Sequence, residues 1–358
     1  MPRPGQLRAS VEDNLSDRIA VRLLVRTFPP DLVDHVVAEC GRSELRSRRL
    51  PARTVVYFVL AICLFWHRSY GQVVQLLAES LNWADRGRNP VPPLPPTTAA
   101  LSRARARLGP EPMAALFSEA VMRSSAARAT CDSYRRWRVL AADAATVSVP
   151  DTPDNRARYG ATTPVVERVT VRTSLPRARV AVLAECGSDT ITKAAVGLPV
   201  TSTDPTLARE LFTGLSPEDL VLADCGAEDL NLLPAVRASG ADLLWRVRAE
   251  PPMPWRTAFP DSSYLSGMCD SSGRCHTEVR VIEEGSYFLV TTLLDHEAHP
   301  ARHLRALAHR YRDFGISFQA VGKLWRDGPL VLRSRWPAGV EQEVWGHLLV
   351  HHTLRSLM

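Results

Sequence analysis

Two aspartates stand directly after short apolar runs, and carboxylates in this position are candidate metal ligands. Asp143 follows residues 139–142, and Asp224 follows residues 220–223. An apolar run that stops at a carboxylate is typical of a buried strand that delivers its acid to the edge of a sheet. Two adjacent carboxylates repel each other unless a cation lies between them, and their hard oxygen atoms favour Mg²⁺ or Mn²⁺. The pair therefore predicts a divalent metal site, although an aspartate in this position also commonly caps the next helix or turn.

Further motifs surround these two acids. In chain order they are LPARTVVYFVL at 50–60, ALSRARARLGP at 100–110, TVSVPDTPDN at 146–155, GADLLWRVR at 240–248 and LRSRWPAGVEQEVWG at 332–346. In their order and spacing, they resemble the motifs of bacterial DDE transposases of the insertion sequence four family. The resemblance extends from about Asp17 to Met358, and members of the family commonly continue beyond the position of Met358.

The resemblance implies an activity, a cofactor and a partner. Proteins of this family bind double-stranded DNA at the inverted repeats of a transposon and carry out DNA hydrolysis and strand transfer with Mg²⁺ or Mn²⁺. Asp143 and Asp224 match the family's first two catalytic acids, which are also its metal ligands. We therefore expect a homodimer on DNA, located in the cytoplasm with the nucleoid and not at a membrane.

The family's third acid is a glutamate within the pattern Tyr-x2-Arg-x3-Glu-x6-Lys, and this chain departs from the family there. Counting along the matching segment places the glutamate at Gly315 or Ile316, and neither residue is acidic. No Asp or Glu occurs from Phe314 to Arg326. The nearest carboxylate is Asp313, which is therefore the candidate third catalytic acid.

This departure leaves two alternatives to an active transposase. One is a catalytically inactive, transposase-derived DNA-binding protein, and the other is a metal-dependent DNA nuclease of the same fold. The residues directly after the first two acids also differ from those usual in the family. The arginine and the lysine of the third-acid pattern match Arg312 and Lys323, which the resemblance makes candidate DNA-binding residues.

Positive charge is concentrated in the N-terminal part of the chain. Residues 1–140 contain 21 Arg and 12 Asp or Glu, whereas residues 141–358 contain 23 Lys or Arg and 26 Asp or Glu. This excess predicts contact between the N-terminal part and DNA phosphates. Arg103 and Arg107 lie one turn apart on a predicted helix and are candidates for that contact. The alternative is a solvated amphipathic helix.

Other features of the composition indicate the compartment. The 7 cysteines are odd in number and mostly isolated, which is typical of a reducing compartment. The apolar run from Val55 to Trp66 is too short to cross a bilayer core of ~30 Å and predicts a buried helix. The first fifteen residues have no pattern of a targeting signal.

Hydrophobic periodicity predicts the elements that must position the acids. Helical spacing runs from Asp13 to about Leu81, a further helix begins after an N-cap at Thr97 or Thr98, and another begins at Glu111. From Trp137 the pattern changes to that of strands. The predicted strands are Val139–Ala142, Val169–Thr173, Val180–Cys186, Ile191–Val196, the run to Asp224, Asp242–Val247 and Glu278–Ile282; the predicted helices among them are Asp204–Thr213 and Asp229–Ser239.

These elements predict an α/β protein with an all-helical N-terminal DNA-binding domain. A ribonuclease H-like mixed-sheet catalytic domain follows it, because the order of elements fits a mixed sheet with helices on both faces. The expected domains are a disordered N-terminus at 1–12, the helical domain at 13–130, the catalytic domain at 134–250 and 287–358, and a β-rich insertion at 251–286.

Overall fold

The computed structural model describes residues 11–43, 50–80, 96–126, 133–160, 175–188, 190–199, 210–225, 230, 232–248, 255–269, 275–310 and 331–357. The chain forms two compact units. One contains the residues up to Ser124 together with Leu332–Met358, and the other extends from Ser125 to Val331.

The first unit is helical. Its helices are α1 (Val11–Thr27), α2 (Pro30–Glu39), α3 (Ala52–Leu64), α4 (Tyr70–Ser80), α5 (Thr98–Leu108), α6 (Glu111–Ala126, which ends just past the division at Ser124) and the C-terminal helix α10 (Pro337–Arg355). Helix α3 is buried on all sides along residues 55–63, which confirms the prediction of a buried helix from this apolar run. Of the two predicted N-caps of α5, Thr97 and Thr98, the structure shows Thr97, whose side chain accepts a hydrogen bond from the Ala100 backbone N–H.

Helix α10 packs closely on α3 because Gly346 has no side chain. A Cβ atom built at Gly346 would lie 2.7 Å from Cys63 Sγ and 3.1 Å from a methyl carbon of Val59. The sequence analysis placed residues 332–358 with the catalytic domain. In the structure they pack with the N-terminal helices, and the contact between Gly346 and α3 is one physical reason.

The second unit is built on one large mixed sheet. Its strands are β1 (Ser133–Tyr134), β2 (Trp137–Ser148), β3 (Arg177–Glu185), β4 (Thr190–Pro199), β5 (Asp219–Cys225), β6 (Asp242–Val247), β7 (Thr257–Ala258), β8 (Ser263–Cys269), β9 (Cys275–Glu284) and β10 (Tyr287–Thr291). The strand order is β4-β3-β2-β5-β6-β10-β9-β8-β7, and β1 pairs with β2. Strands β5 and β6 run parallel to β2, while every other pairing is antiparallel.

Both faces of this sheet are covered by apolar residues. Side chains alternate between the faces along a strand, so that Leu140 and Val221 belong to one buried cluster, and Val139 and Leu220 to the other. The second cluster also includes side chains of α9 (residues 301–310), which therefore packs on that face. Two further helices of this unit are α7 (Pro153–Tyr159) and α8 (Leu233–Ala238).

Most of the predicted strands within the described residues are present. Strand Asp242–Val247 has the predicted bounds, whereas β3 and β4 begin earlier than predicted. The predicted strand at 169–173, most of the predicted helix at 204–213 and residues 1–10 of the expected disordered N-terminus lie outside the described residues. Residues 11 and 12, which were expected to be disordered, belong to α1.

Candidate active site

The two aspartates lie on neighbouring parallel strands. In the pairing of β2 with β5, Ala142 stands opposite Ala223, and Asp143 and Asp224 are the next residues of the two strands. Their side chains point to the same face of the sheet, since the residues before them both pack into the cluster on the other face. The structure therefore brings the two candidate metal ligands side by side.

One detail of the sequence-based prediction was wrong. Asp143 was expected at the end of its strand, but β2 continues five residues further, to Ser148. The strand continues because its far end remains paired with β3, where Ser148 stands opposite Arg177. Asp224, by contrast, is the last residue but one of β5. The acids therefore meet where the β2–β5 pairing ends, and only one of them lies at the end of a strand.

The two carboxylates have different surroundings. Asp143 is partly buried, and its Oδ1 accepts a hydrogen bond of 2.7 Å from the backbone N–H of Ala144. The Asp224 carboxylate instead faces two arginines. Arg248 donates to both of its oxygen atoms, with Nε to Oδ1 at 3.2 Å and Nη2 to Oδ2 at 3.0 Å. Arg246 Nη2 lies 3.6 Å from the same Oδ2.

The two arginines come from the strand beyond Asp224. Arg246 stands directly opposite Asp224 in the pairing of β5 with β6. Arg248 follows two positions later, so the alternation of a strand directs it to the same side. The hydrogen bonds from Arg248 to Asp224 raise the pKa of the Arg248 guanidinium. Asp143, Asp224 and Arg246 thus form a row across three adjacent strands.

The sequence analysis did not identify Arg246 and Arg248 as site residues. The signal that could have found them is their spacing of two at the end of the predicted strand Asp242–Val247, which neighbours the strand of Asp224. Two residues with this spacing share a face. Their pairing with Asp224 depends on the order of the strands in the sheet, and the local sequence pattern does not give that order.

The remaining predicted site residues of this unit cannot be placed. Asp313, Arg312 and Lys323 lie outside the described residues. Helix α9 comes shortly before them in the chain, and it packs on the same face of the sheet as the two aspartates. Within the described part of the chain, no group of three or more His, Cys, Asp or Glu side chains is arranged to hold a metal ion.

The candidate DNA contacts of the helical unit lie on α5. Arg103 is exposed, and Arg107 is also exposed, with its Nη2 3.4 Å from the carbonyl oxygen of Leu50. Arg105, which the sequence analysis placed off their shared face, is fully buried. The helix therefore presents Arg103 and Arg107 outward and a third arginine to the core.

Two neighbouring acids on parallel strands of a mixed sheet form a candidate carboxylate site. Residues 18–118 match the family described as Insertion element 4 transposase N-terminal. The chain is 26% identical over 353 residues to Transposase InsG for insertion sequence element IS4 from Escherichia coli (strain K12), which covers 92% of this chain and 74% of that protein. The resemblance to insertion sequence four transposases is therefore confirmed, and residues 18–118 are similar to the N-terminal part of that family.

Other similarities are weaker. Putative transposase InsZ from Escherichia coli (strain K12) is 24% identical over 230 residues, covering 64% of this chain and 72% of that protein. Among solved structures, the piggyBac transposase synaptic complex with hairpin DNA is similar with a TM-score of 0.38 and 10% identity, over 99% of this chain and 69% of that chain. A TM-score of this size does not define a fold. In the described part of the chain, no helix is long and apolar enough to span a membrane.

Proposed function

We propose that the protein is a DNA transposase that binds transposon ends and uses Asp143 and Asp224 to hold Mg²⁺ or Mn²⁺ for DNA hydrolysis and strand transfer. The observation that carries this proposal is the register of β2 and β5, which places the two acids side by side on one face of the sheet. Neighbouring carboxylates with hard oxygen atoms fit a divalent cation of this kind.

The strand order supports a ribonuclease H-like core for the catalytic part. Strands β2, β3 and β4 form an antiparallel series, and β5 and β6 add in parallel on the other side of β2. Strands β7 to β10 extend the same sheet beyond β6, which agrees with a β-rich insertion after the second acid. The face that carries the acids is the one covered by α9, shortly before Asp313 in the chain.

Each group of the site has a distinct part in this proposal. A bound divalent cation activates the attacking oxygen and stabilises the leaving oxygen in phosphoryl transfer. Asp143 and Asp224 supply carboxylate oxygens, and Asp313 is the proposed third ligand. Arg246 and Arg248 bring positive charge to the edge of the sheet where a phosphodiester would approach.

A second candidate function is DNA-end binding without efficient cleavage. The specific observation in its favour is that no acid occurs from Phe314 to Arg326, where the family has its glutamate. A thousandfold loss of rate corresponds to only ~4 kcal/mol of transition-state stabilisation, which a single missing ligand can account for. On this second candidate, the purified protein binds its DNA ends and cleaves and joins them poorly with Mg²⁺ or Mn²⁺.

The experiment compares the unmodified chain with Gly315→Glu and Ile316→Glu on duplexes that carry the inverted repeats. We expect one of these variants to increase cleavage and joining at least tenfold, because it restores the carboxylate at the family's position. The matched control adds Asp143→Asn to the improved variant and should remove the gain. Strand transfer by the unmodified protein that Asp313→Asn abolishes would assign the third ligand to Asp313, and cleavage that survives Asp143→Asn would refute the proposed site.

A further inference from the structure

The bidentate ion pair between Arg248 and Asp224 occupies the atoms that a metal ion would need. Both oxygen atoms of the Asp224 carboxylate accept hydrogen bonds from the Arg248 guanidinium, at 3.2 and 3.0 Å. A divalent cation binds to the same lone pairs of those oxygen atoms. The guanidinium and the metal ion therefore compete for one carboxylate.

The pair also has an electrostatic role. Asp143 and Asp224 stand on neighbouring positions of adjacent strands, and two carboxylates at such positions repel each other. Positive charge from Arg246 and Arg248 offsets this repulsion when no metal ion is bound. The arginines thus supply positive charge beside the two acids, where a cation would also lie.

The two arginines differ in how firmly they are held. The Arg246 side chain is 20% exposed and lies over the Tyr287 ring, with 4.6 Å between its guanidinium carbon and the ring centroid. The Arg248 side chain is 71% exposed and follows the last residue of β6. Moving an exposed side chain away from its partner costs little, whereas Arg246 would lose its contact with an aromatic ring. Arg248 is therefore the arginine that can leave.

We propose that Arg248 is a positioning residue that clamps Asp224 in the metal-free protein and is displaced from it when a divalent cation binds. This inference rests on the proposed function, because it takes Asp143 and Asp224 as the metal ligands. The clamp lowers the affinity of the site for the metal ion, since binding must first break the ion pair. Its removal should therefore tighten metal binding in the absence of DNA.

The test is a titration of the full chain with Mn²⁺ by isothermal titration calorimetry, without DNA. For Arg248→Gln we expect a Kd about fivefold lower than that of the unmodified chain, in line with the usual strength of an exposed ion pair. Arg248→Lys keeps the charge but loses the bidentate hydrogen bonds, so its Kd should lie between those of the unmodified chain and Arg248→Gln. Thermal unfolding without metal confirms that each variant is folded.

The matched control is Arg237→Gln, which removes the same charge elsewhere. Arg237 is also exposed and pairs with an aspartate, Asp242, at 3.1 Å, but this pair lies at the opposite end of β6. Its Kd for Mn²⁺ should stay within about twofold of that of the unmodified chain, as expected for a screened charge more than a Debye length away.

The outcomes separate the clamp from the metal site. Equal Kd values for the unmodified chain and Arg248→Gln, or the same tightening in Arg237→Gln, would overturn the clamp and leave the metal site standing. Mn²⁺ binding that Asp224→Asn abolishes and Arg248→Gln tightens supports both. If neither the unmodified chain nor Arg248→Gln binds Mn²⁺, the proposed metal site fails and the clamp fails with it.

Discussion

Arg105 is a buried cation whose hydrogen-bonding capacity is fully used. Its five N–H groups donate to Gln342 Oε1, the Tyr70 hydroxyl, Glu343 Oε1, Ser334 Oγ and the Gly339 carbonyl, at distances from 2.7 to 3.2 Å. Four of these partners come from residues 332–358. A buried charge is tolerated only when it is paired and hydrogen-bonded, so this network ties the C-terminal segment to α5.

Replacement of Arg105 should therefore be strongly destabilising. We expect Arg105→Met to lower the free energy of unfolding by about 3–5 kcal/mol, because Glu343 would remain buried without its counter-ion. Urea denaturation measures this change. Arg103→Met on the same helix is the matched control and should change stability by less than about 0.5 kcal/mol, since Arg103 is exposed. A loss below about 1 kcal/mol for Arg105→Met would contradict the role of the network.

His347 should make the stability of the helical unit dependent on pH. Burial lowers the pKa of His347 to about 4, although the charge of Glu343 acts in the opposite direction. The unfolded chain takes up a proton near pH 6.5, and the folded chain does so only near pH 4, so the free energy of unfolding falls as the pH falls through this window.

The expected loss from this histidine between pH 7 and pH 5 is about 2 kcal/mol. Urea denaturation at both pH values, on the unmodified chain and on His347→Gln, isolates it from the carboxylates that also titrate. The variant should lose about 2 kcal/mol less than the unmodified chain over this interval. An equal loss in the two proteins would show that His347 does not resist protonation in the folded state.

Helix α5 has one face in the core and another that is exposed. Arg105 lies about 200° around the helix axis from Arg103 and from Arg107, because each residue advances about 100°. The inward face is fixed by the buried network, while Arg103 and Arg107 remain exposed on the outside. One short arginine-rich segment thus contains a structural residue between two candidate DNA contacts.

If the outward face of α5 binds phosphates, reversal of its charge should weaken DNA binding. We expect Arg103→Glu to reduce affinity for duplex DNA and to reduce the slope of log K against log salt by about 1 between 50 and 200 mM salt. Fluorescence anisotropy on the full chain measures both quantities. Arg302→Glu, at an exposed position of α9, is the matched control and should have a smaller effect. An unchanged slope for Arg103→Glu would exclude this arginine as a phosphate contact.

The two ends of the chain contribute to one helical unit. Residues up to Ser124 and Leu332–Met358 form that unit, and the sheet unit is inserted between them. A fragment of residues 1–130 would lack Glu343 and three other hydrogen-bond partners of Arg105. DNA binding by the basic N-terminal part is therefore best measured on the full chain, where its core is complete.

Local patterns predicted much of this molecule. The apolar run of α3, the cap at Thr97 and the strand Asp242–Val247 follow from hydrophobic periodicity and capping preferences, which act within a few residues. The two acids were recognisable because each follows a short apolar run. The structure shows that their strands, β2 and β5, are neighbours and run parallel, so the two acids lie side by side. Their metal-binding role stays a prediction.

The partners of charged side chains depended on the fold. Arg105 and Glu343 are 238 residues apart in the chain, and Arg248 and Asp224 are 24 apart, so no local spacing relates either pair. Arg103 and Arg105 have the same chemistry in the sequence, yet one is exposed and the other is buried. Helical phase and the packing of Gly346 on α3 bring Arg105 to Glu343, and the strand order brings Arg248 to Asp224. Burial and ion pairing depend on distances in space, which local spacing does not give.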